Sequence, residues 1–194
     1  MINVTPMKPS NLSMAGFRMS FKQPKLLSYL LLFLIGYCLP VQSQAAYQAH
    51  QIEAVYIFRI ANFIQWTNKP LESPLTFCGE SFDPVVQTLI KISTDKRIQD
   101  RNVNIKTSGE DTANQCDIYI ANKNTKPSEL QAMAENILTI SGKKNFTHER
   151  GMIELRQVDG KVKPIINLDN LENTSFKISS QLLRISIIEG GNNK

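Results

Sequence analysis

Few side chains in this sequence could do chemistry. Cys78 and Cys116 are thiols beside the apolar runs Leu75-Thr76-Phe77-Cys78 and Cys116-Asp117-Ile118-Tyr119-Ile120. Paired, they would be a crosslink; they are not a C-x-x-C at a helix start, so a catalytic dithiol is not indicated. The histidines are His50 and His148. His148-Glu149 lacks the second histidine of a helical zinc pair, so a metal-dependent hydrolase using His148 and Glu149 competes poorly with two solvated histidines. Glu149 and Glu154 could flank a pocket, but solvated faces carry most carboxylates. Lys143, Lys144 and Arg150 could meet an anion or belong to a solvated loop. Tyr56, Phe58, Phe63 and Trp66 stand at helical spacing, which suits a core better than a ligand groove. No G-x-G-x-x-G follows a strand, and neither G-x-x-x-x-G-K-[ST] nor G-x-S-x-G occurs, so phosphate cradles and a serine-hydrolase elbow are not indicated. No cofactor and no metal are expected, and the residues point away from an enzyme.

The elements that hold these groups follow from length and charge. The 194 residues suit one domain plus a leader. The formal charge of +5 suggests an anion seeker. Residues 1–45, however, carry Lys8, Arg18, Lys22 and Lys25 with no acid, and the eighteen basic groups that remain nearly balance the seventeen acids. A whole-protein pull on nucleic acid is therefore not expected.

The leader reads as an address. Arg18, Lys22 and Lys25 precede Leu26–Leu39, an uncharged run of 14 residues closed by Pro40. A membrane-spanning helix needs roughly 20 apolar residues. A basic flank, a short apolar stretch and Ser43-Gln44-Ala45-Ala46 fit a secretory signal over residues 1–45, cut near Ala45, with Met19 an alternative start. An uncleaved anchor is the competing reading. Residues 46–194 are then one exported domain. Cys38 leaves with the leader. The even pair left in an oxidising compartment suggests one disulfide, with two buried thiols as the alternative. A loop 38 residues long closed by that bond would stabilise the fold by about 4 kcal/mol.

Periodicity supplies the rest. Tyr47–Trp66 reads as a helix, with Ile52, Tyr56, Ile60, Phe63 and Ile64 on its apolar face. Leu75–Cys78 reads as a strand, and Asp83-Pro84 opens a helix bearing Val85, Val86, Leu89 and Ile90. Strands are expected at Val103–Lys106, Asp117–Ala121 and Ile137–Ile140, a helix at Pro127–Glu135, and a polar loop at Ser141–Arg150. Gly151–Val158 and Lys161–Leu168 flank Asp159-Gly160 as a hairpin. A last helix spans Ile178–Glu189 and ends at Gly190-Gly191. Strands separated by helices predict an α/β fold. It is a layered α/β/α sandwich with a mixed, mainly parallel sheet and a C-terminal hairpin plus helix.

The stretch Tyr47–Trp66 (YQAHQIEAVYIFRIANFIQW) resembles the opening helix of the YfiR-like periplasmic proteins. Leu75-Thr76-Phe77-Cys78, Cys116-Asp117-Ile118-Tyr119-Ile120, Gly151-Met152-Ile153, and Ile165-Ile166-Asn167-Leu168 with Ile178–Arg184 follow in the same order, so the resemblance covers 47–188. It implies a repressor of an inner-membrane diguanylate cyclase. Such a protein binds the cyclase's periplasmic sensor domain and keeps cyclic-di-GMP, and with it biofilm formation, low until envelope or redox stress releases it. It also implies that Cys78 and Cys116 form a disulfide needed for a competent fold. Thr67 stands where the family usually has Pro, Arg59 where Asn is common and Asn62 where Lys is common. A second cysteine pair of some members is missing, so a redox switch would rest on Cys78–Cys116 alone.

Arg150, Gly151, Met152, Ile153 and Arg184 are expected near the partner or ligand surface, Gly for close backbone approach and Met as an adaptable contact. The alternative is that Gly151-Met152-Ile153 starts a core strand. The partner would be the periplasmic domain of an inner-membrane signalling protein, and a homodimer stays open. A small-molecule receptor for a neighbouring sensor kinase or uptake system, with a pocket between the first and last helices, is the competing function.

Overall fold

The computed structural model describes residues 48–67, 69–107, 115–133, 135–158 and 161–191. The expected leader and its cleavage site near Ala45 lie outside them, as does the Asp159-Gly160 turn.

The first helix, α1 (Ala49–Ile60), buries Ala54, Ile57 and Ile60. Its end differs from the periodic reading. The backbone tightens into a 3-10 turn at Ala61–Phe63, and Ile64–Trp66 then extends as β1. A period of two, with Ile64 buried and Gln65 exposed, sits inside the helical pattern. The partner that decides it is β9 (Phe176–Ile178), antiparallel with Ile64 opposite Ile178. Trp66 and Phe176 pack with ring centroids 5.5 Å apart. A strand whose mate lies so far along the chain leaves no local signal.

Next come β2 (Leu75–Gly79), α2 (Pro84–Ser93), β3 (Arg97–Ile98), β4 (Arg101–Thr107), β5 (Ile118–Ile120), α3 (Pro127–Met133) and β6 (Leu138–Ser141). The chain continues through β7 (Ile153–Val158), β8 (Lys161–Asn167), β9, α4 (Ser180–Ile185) and β10 (Ile187–Glu189). The main sheet has the order β10-β8-β7-β6-β5-β2-β4-β3. Strands β4, β2, β5, β6 and β7 run parallel, while β3 and β8 are antiparallel to their neighbours β4 and β7. The expected layered, mainly parallel α/β fold is therefore what the chain adopts. On one face Leu75, Phe77, Ile118, Ile120, Leu138, Ile140 and Ile153 pack against α1, α2 and Leu182 of α4. On the other, Cys78, Cys116, Ile137 and Tyr119 meet Met133 of α3, and Ala121 meets Leu130 and Phe146.

As expected, Asp83 caps α2, accepting from the Val85 backbone N–H at 2.8 Å, with Pro84 behind it. The hairpin β3–β4 was not legible, because its turn residues Gln99 and Asp100 hold φ of 50° and 63° without a glycine. Gln99 repays that strain by donating its Nε2 to the carbonyls of Asn62 at 2.9 Å and Ile64 at 2.8 Å. Val158 lies opposite Lys161, so β7 and β8 form the expected hairpin. The expected helix Ile178–Glu189 is a correction. Ser179 caps only α4, and Ser186 Oγ donates to the Leu182 carbonyl at 2.7 Å at the helix end. Ile187–Glu189 then joins β8 in parallel, so Gly190-Gly191 follows a strand, at φ of 73° and 78°. β-branched isoleucines favour the pleat once a strand is there to receive them.

Asp117 ties the start of β5 to β2. Its Oδ2 accepts from the Thr76 backbone N–H at 2.7 Å and from Lys69 Nζ at 2.6 Å. Asp117→Ala leaves a buried N–H without an acceptor and should cost about 2 kcal/mol. Urea unfolding checks it, and Asp117→Asn, which keeps an acceptor, should lose less.

Candidate functional site

In an open α/β sheet, ligands bind at the carboxyl ends of parallel strands where the connections diverge. From β2 the chain crosses through α2 to β4; from β5 it crosses through α3 to β6 on the opposite side. The loops after β2 and β5 therefore part, and a cleft of about 510 Å³ opens there. It is walled by Phe82–Val85, by Ala121–Asn124, by Ser141–Lys143 after β6, and by Glu53 of α1. That volume suits a small molecule.

Backbone geometry shapes the walls. The Asn122 side chain accepts from the Asn124 N–H at 2.7 Å, and Thr125 Oγ1 accepts from the Asn122 N–H at 3.1 Å. Ser141 Oγ donates to the Ala121 carbonyl at 2.6 Å and accepts from the Lys143 N–H at 3.0 Å, joining the β5 and β6 loops. Gly142 donates its N–H to Glu53 Oε1 at 2.6 Å. A Cβ on Gly142 would lie 2.5 Å from Glu53 Oε2, so only glycine admits the carboxylate this closely. Lys143 is neutralised by Glu149, 2.5 Å away. Phe82 is 71% exposed, a large aromatic ring left at the cleft.

Burial pushes the Glu53 carboxyl above its ordinary value of 4.5; the Gly142 N–H opposes the rise and the nearby Asp83 charge adds to it. The folded state therefore holds this proton more tightly than the unfolded chain. The ionised group costs stability as pH rises through the window above 4.5 and up to the raised folded value. Glu53→Gln keeps the acceptor for Gly142 and cannot ionise. It should raise the melting temperature at neutral pH and change little below the ordinary glutamate value. Thermal scans at both pH values check the sign.

None of the expected site residues lines this cleft. Cys78 and Cys116 form the disulfide, with Cα atoms 5.8 Å apart. Arg150 is exposed at φ 75°, and Arg184 is exposed on α4. Met152 and Ile153 are buried in the main core, so their side chains pack inward rather than onto a surface. Gly151 is also buried, its carbonyl accepting from Asn170 Nδ2 at 2.7 Å. The core-strand alternative describes these three residues. Tyr56, Phe58, Phe63 and Trp66 are half-buried against the core. The His148 side chain is 65% exposed, its Nε2 3.6 Å from Glu189, while Glu149 pairs with Lys143 instead. Among the described residues no group of three or more His, Cys, Asp or Glu comes together to hold a metal. The cleft lies between α1 and the strand-end loops, not between the first and last helices as expected for a receptor pocket. Glu53 and Phe82 carry no signal of their own in the sequence, and Asp83 reads only as a helix cap. The available signal was Phe82-Asp83-Pro84, an apolar ring beside a helix start directly after a strand.

No curated protein matches the chain. A family model described as YfiR/HmsC-like matches residues 50–187, nearly the whole of this α/β domain, and the chain belongs to the YfiR/HmsC-like family.

Proposed function

We propose that the protein is a periplasmic regulator that works by docking rather than by catalysis. It restrains an inner-membrane diguanylate cyclase by binding the cyclase's periplasmic sensor domain, and so lowers cyclic-di-GMP. The observation that carries this reading is the family match across residues 50–187. A disulfide-tied domain fits an exported protein.

Docking needs a surface, and we assign it to the sheet edge at β10. Ile187 and Ile188 are 39% and 42% exposed there, beside Ile185, 63% exposed at the end of α4, and the exposed Arg184. Exposed apolar residues on an edge strand invite a partner. Restraint then follows from linkage: the regulator holds whichever sensor conformation it binds better, and the affinity difference sets the output. Capture of the tagged protein from envelope membranes tests this. Recovery of a membrane-bound cyclase without reductant, and its loss with reductant, is the expected result. Recovery of no membrane-bound signalling protein under either condition overturns it.

The cleft supports a second reading, a small-molecule receptor serving a neighbouring sensor kinase or uptake system. The two combine if a ligand changes affinity for the partner.

A further inference from the structure

We infer that the cleft between the loops after β2 and β5 binds a small organic ammonium with an apolar body, its charge held by Glu53 and Asp83 and its body laid against Phe82. This deepens the receptor reading and leaves the cyclase reading untouched.

Three separate features converge there. The first is position: the cavity of about 510 Å³ opens where the β2 and β5 connections diverge, the place this topology reserves for ligands. The second is the acceptor set. Glu53 Oε1 is committed to the Gly142 N–H and Asp83 Oδ1 to the Val85 N–H. The second oxygen of each carboxylate has no hydrogen-bond partner among the described residues, and both residues line the cleft. Two such oxygens suit the several N–H donors of one ammonium. The third is the wall. Phe82, Pro84, Val85 and Ala121 line the cleft with apolar groups, and the solvent-facing Phe82 ring is available to cover the ligand's apolar body.

Other charges do not reverse this preference. Lys143 is committed to Glu149, and the lone remaining lining cation, Lys123, is exposed. A single metal ion would leave most of the cavity unfilled and the aromatic wall unused. An anion would face two carboxylates.

Calorimetric titration of the purified protein with 2-phenylethylamine tests the assignment, with 2-phenylethanol and phenylacetate as matched neutral and anionic probes. The amine should bind, and the other two should bind at least about tenfold more weakly, the loss of one charge-assisted contact. Asp83→Asn, which still caps α2, and Phe82→Ala, at an exposed position, should each weaken the amine by about three- to tenfold while leaving the melting temperature nearly unchanged. Glu53→Gln should weaken it at least tenfold, with circular dichroism confirming the fold. No heat from the amine up to roughly 5 mM, a range where weak small-ligand sites still register, overturns the inference. Equal binding of the alcohol, or amine binding unaltered in both Asp83→Asn and Phe82→Ala, does the same.

Discussion

Opening the Cys78–Cys116 bond should lower the melting temperature by about 10–15 °C. The bond closes a loop of 38 residues, which in the chain-entropy model is worth about 4 kcal/mol. A domain of this size loses roughly 2–4 °C per kcal/mol. Packing adds to the loss, because Cys78 and Cys116 are buried with Ile137 beneath Met133 and Tyr119. The bond also fixes β2 against the segment entering β5, the two strands whose ends frame the cleft. Thermal scans with and without reductant, and of Cys78→Ser/Cys116→Ser, measure the effect. A double variant that melts within about 2 °C of the parent would show that the loop is held closed by other contacts.

The second large effect concerns Phe146 and Gly151. Phe146 is 1% exposed and packs with Ala121 and Leu130 on the α3 side of the sheet. Gly151 closes its 3-10 turn, donating its N–H to the Phe146 carbonyl at 2.9 Å, and a Cβ there would overlap the Phe146 ring. Phe146→Ala should cost about 3–5 kcal/mol through the cavity it leaves. Gly151→Ala should cost about 1–3 kcal/mol by overpacking. The two are coupled: with the ring gone the added methyl has room, so the double variant should lose less than the sum. Urea midpoints for the four proteins give the coupling. Strict additivity would mean that the turn, not the ring, makes Gly151 necessary.

This pair shows why part of the fold is illegible in the sequence. The residues Arg150 to Ile153 read as a surface because a glycine beside an arginine and a methionine suits docking. The structure uses that glycine to admit a buried ring contributed by Phe146, a residue inside what reads as a polar loop. Local rules worked where the information was local. Asp83-Pro84 opened α2 because a carboxylate cap and a fixed φ act within one turn. Alternation on either side of Asp159-Gly160 set the hairpin. They failed where the deciding contact was distant. Ile64–Trp66 turned from helix to strand on meeting Phe176–Ile178, and Ile187–Glu189 did so on meeting Ile165–Asn167. The cleft combines α1 with three strand-end loops, so no single stretch carried its pattern. Glu53 is in that respect typical: one acid among many on a helix until Gly142 is brought beneath it.

If the cleft binds a ligand, holding Glu53 there has a cost in stability. Burial raises the Glu53 carboxyl above its ordinary range, so its ionisation weakens the fold as pH rises. If the docking edge and the cleft act together, the ligand shifts partner affinity only through a difference in how it binds the docked and free forms.

Cyclic-di-GMP extracted from cells reads out the proposed restraint of the cyclase. Deleting the gene should raise the nucleotide severalfold, the parent chain should restore the low level, and Cys78→Ser/Cys116→Ser should fail to restore it. An unchanged level on deletion, in cells whose membrane cyclase is intact and expressed, would mean that the protein does not restrain it.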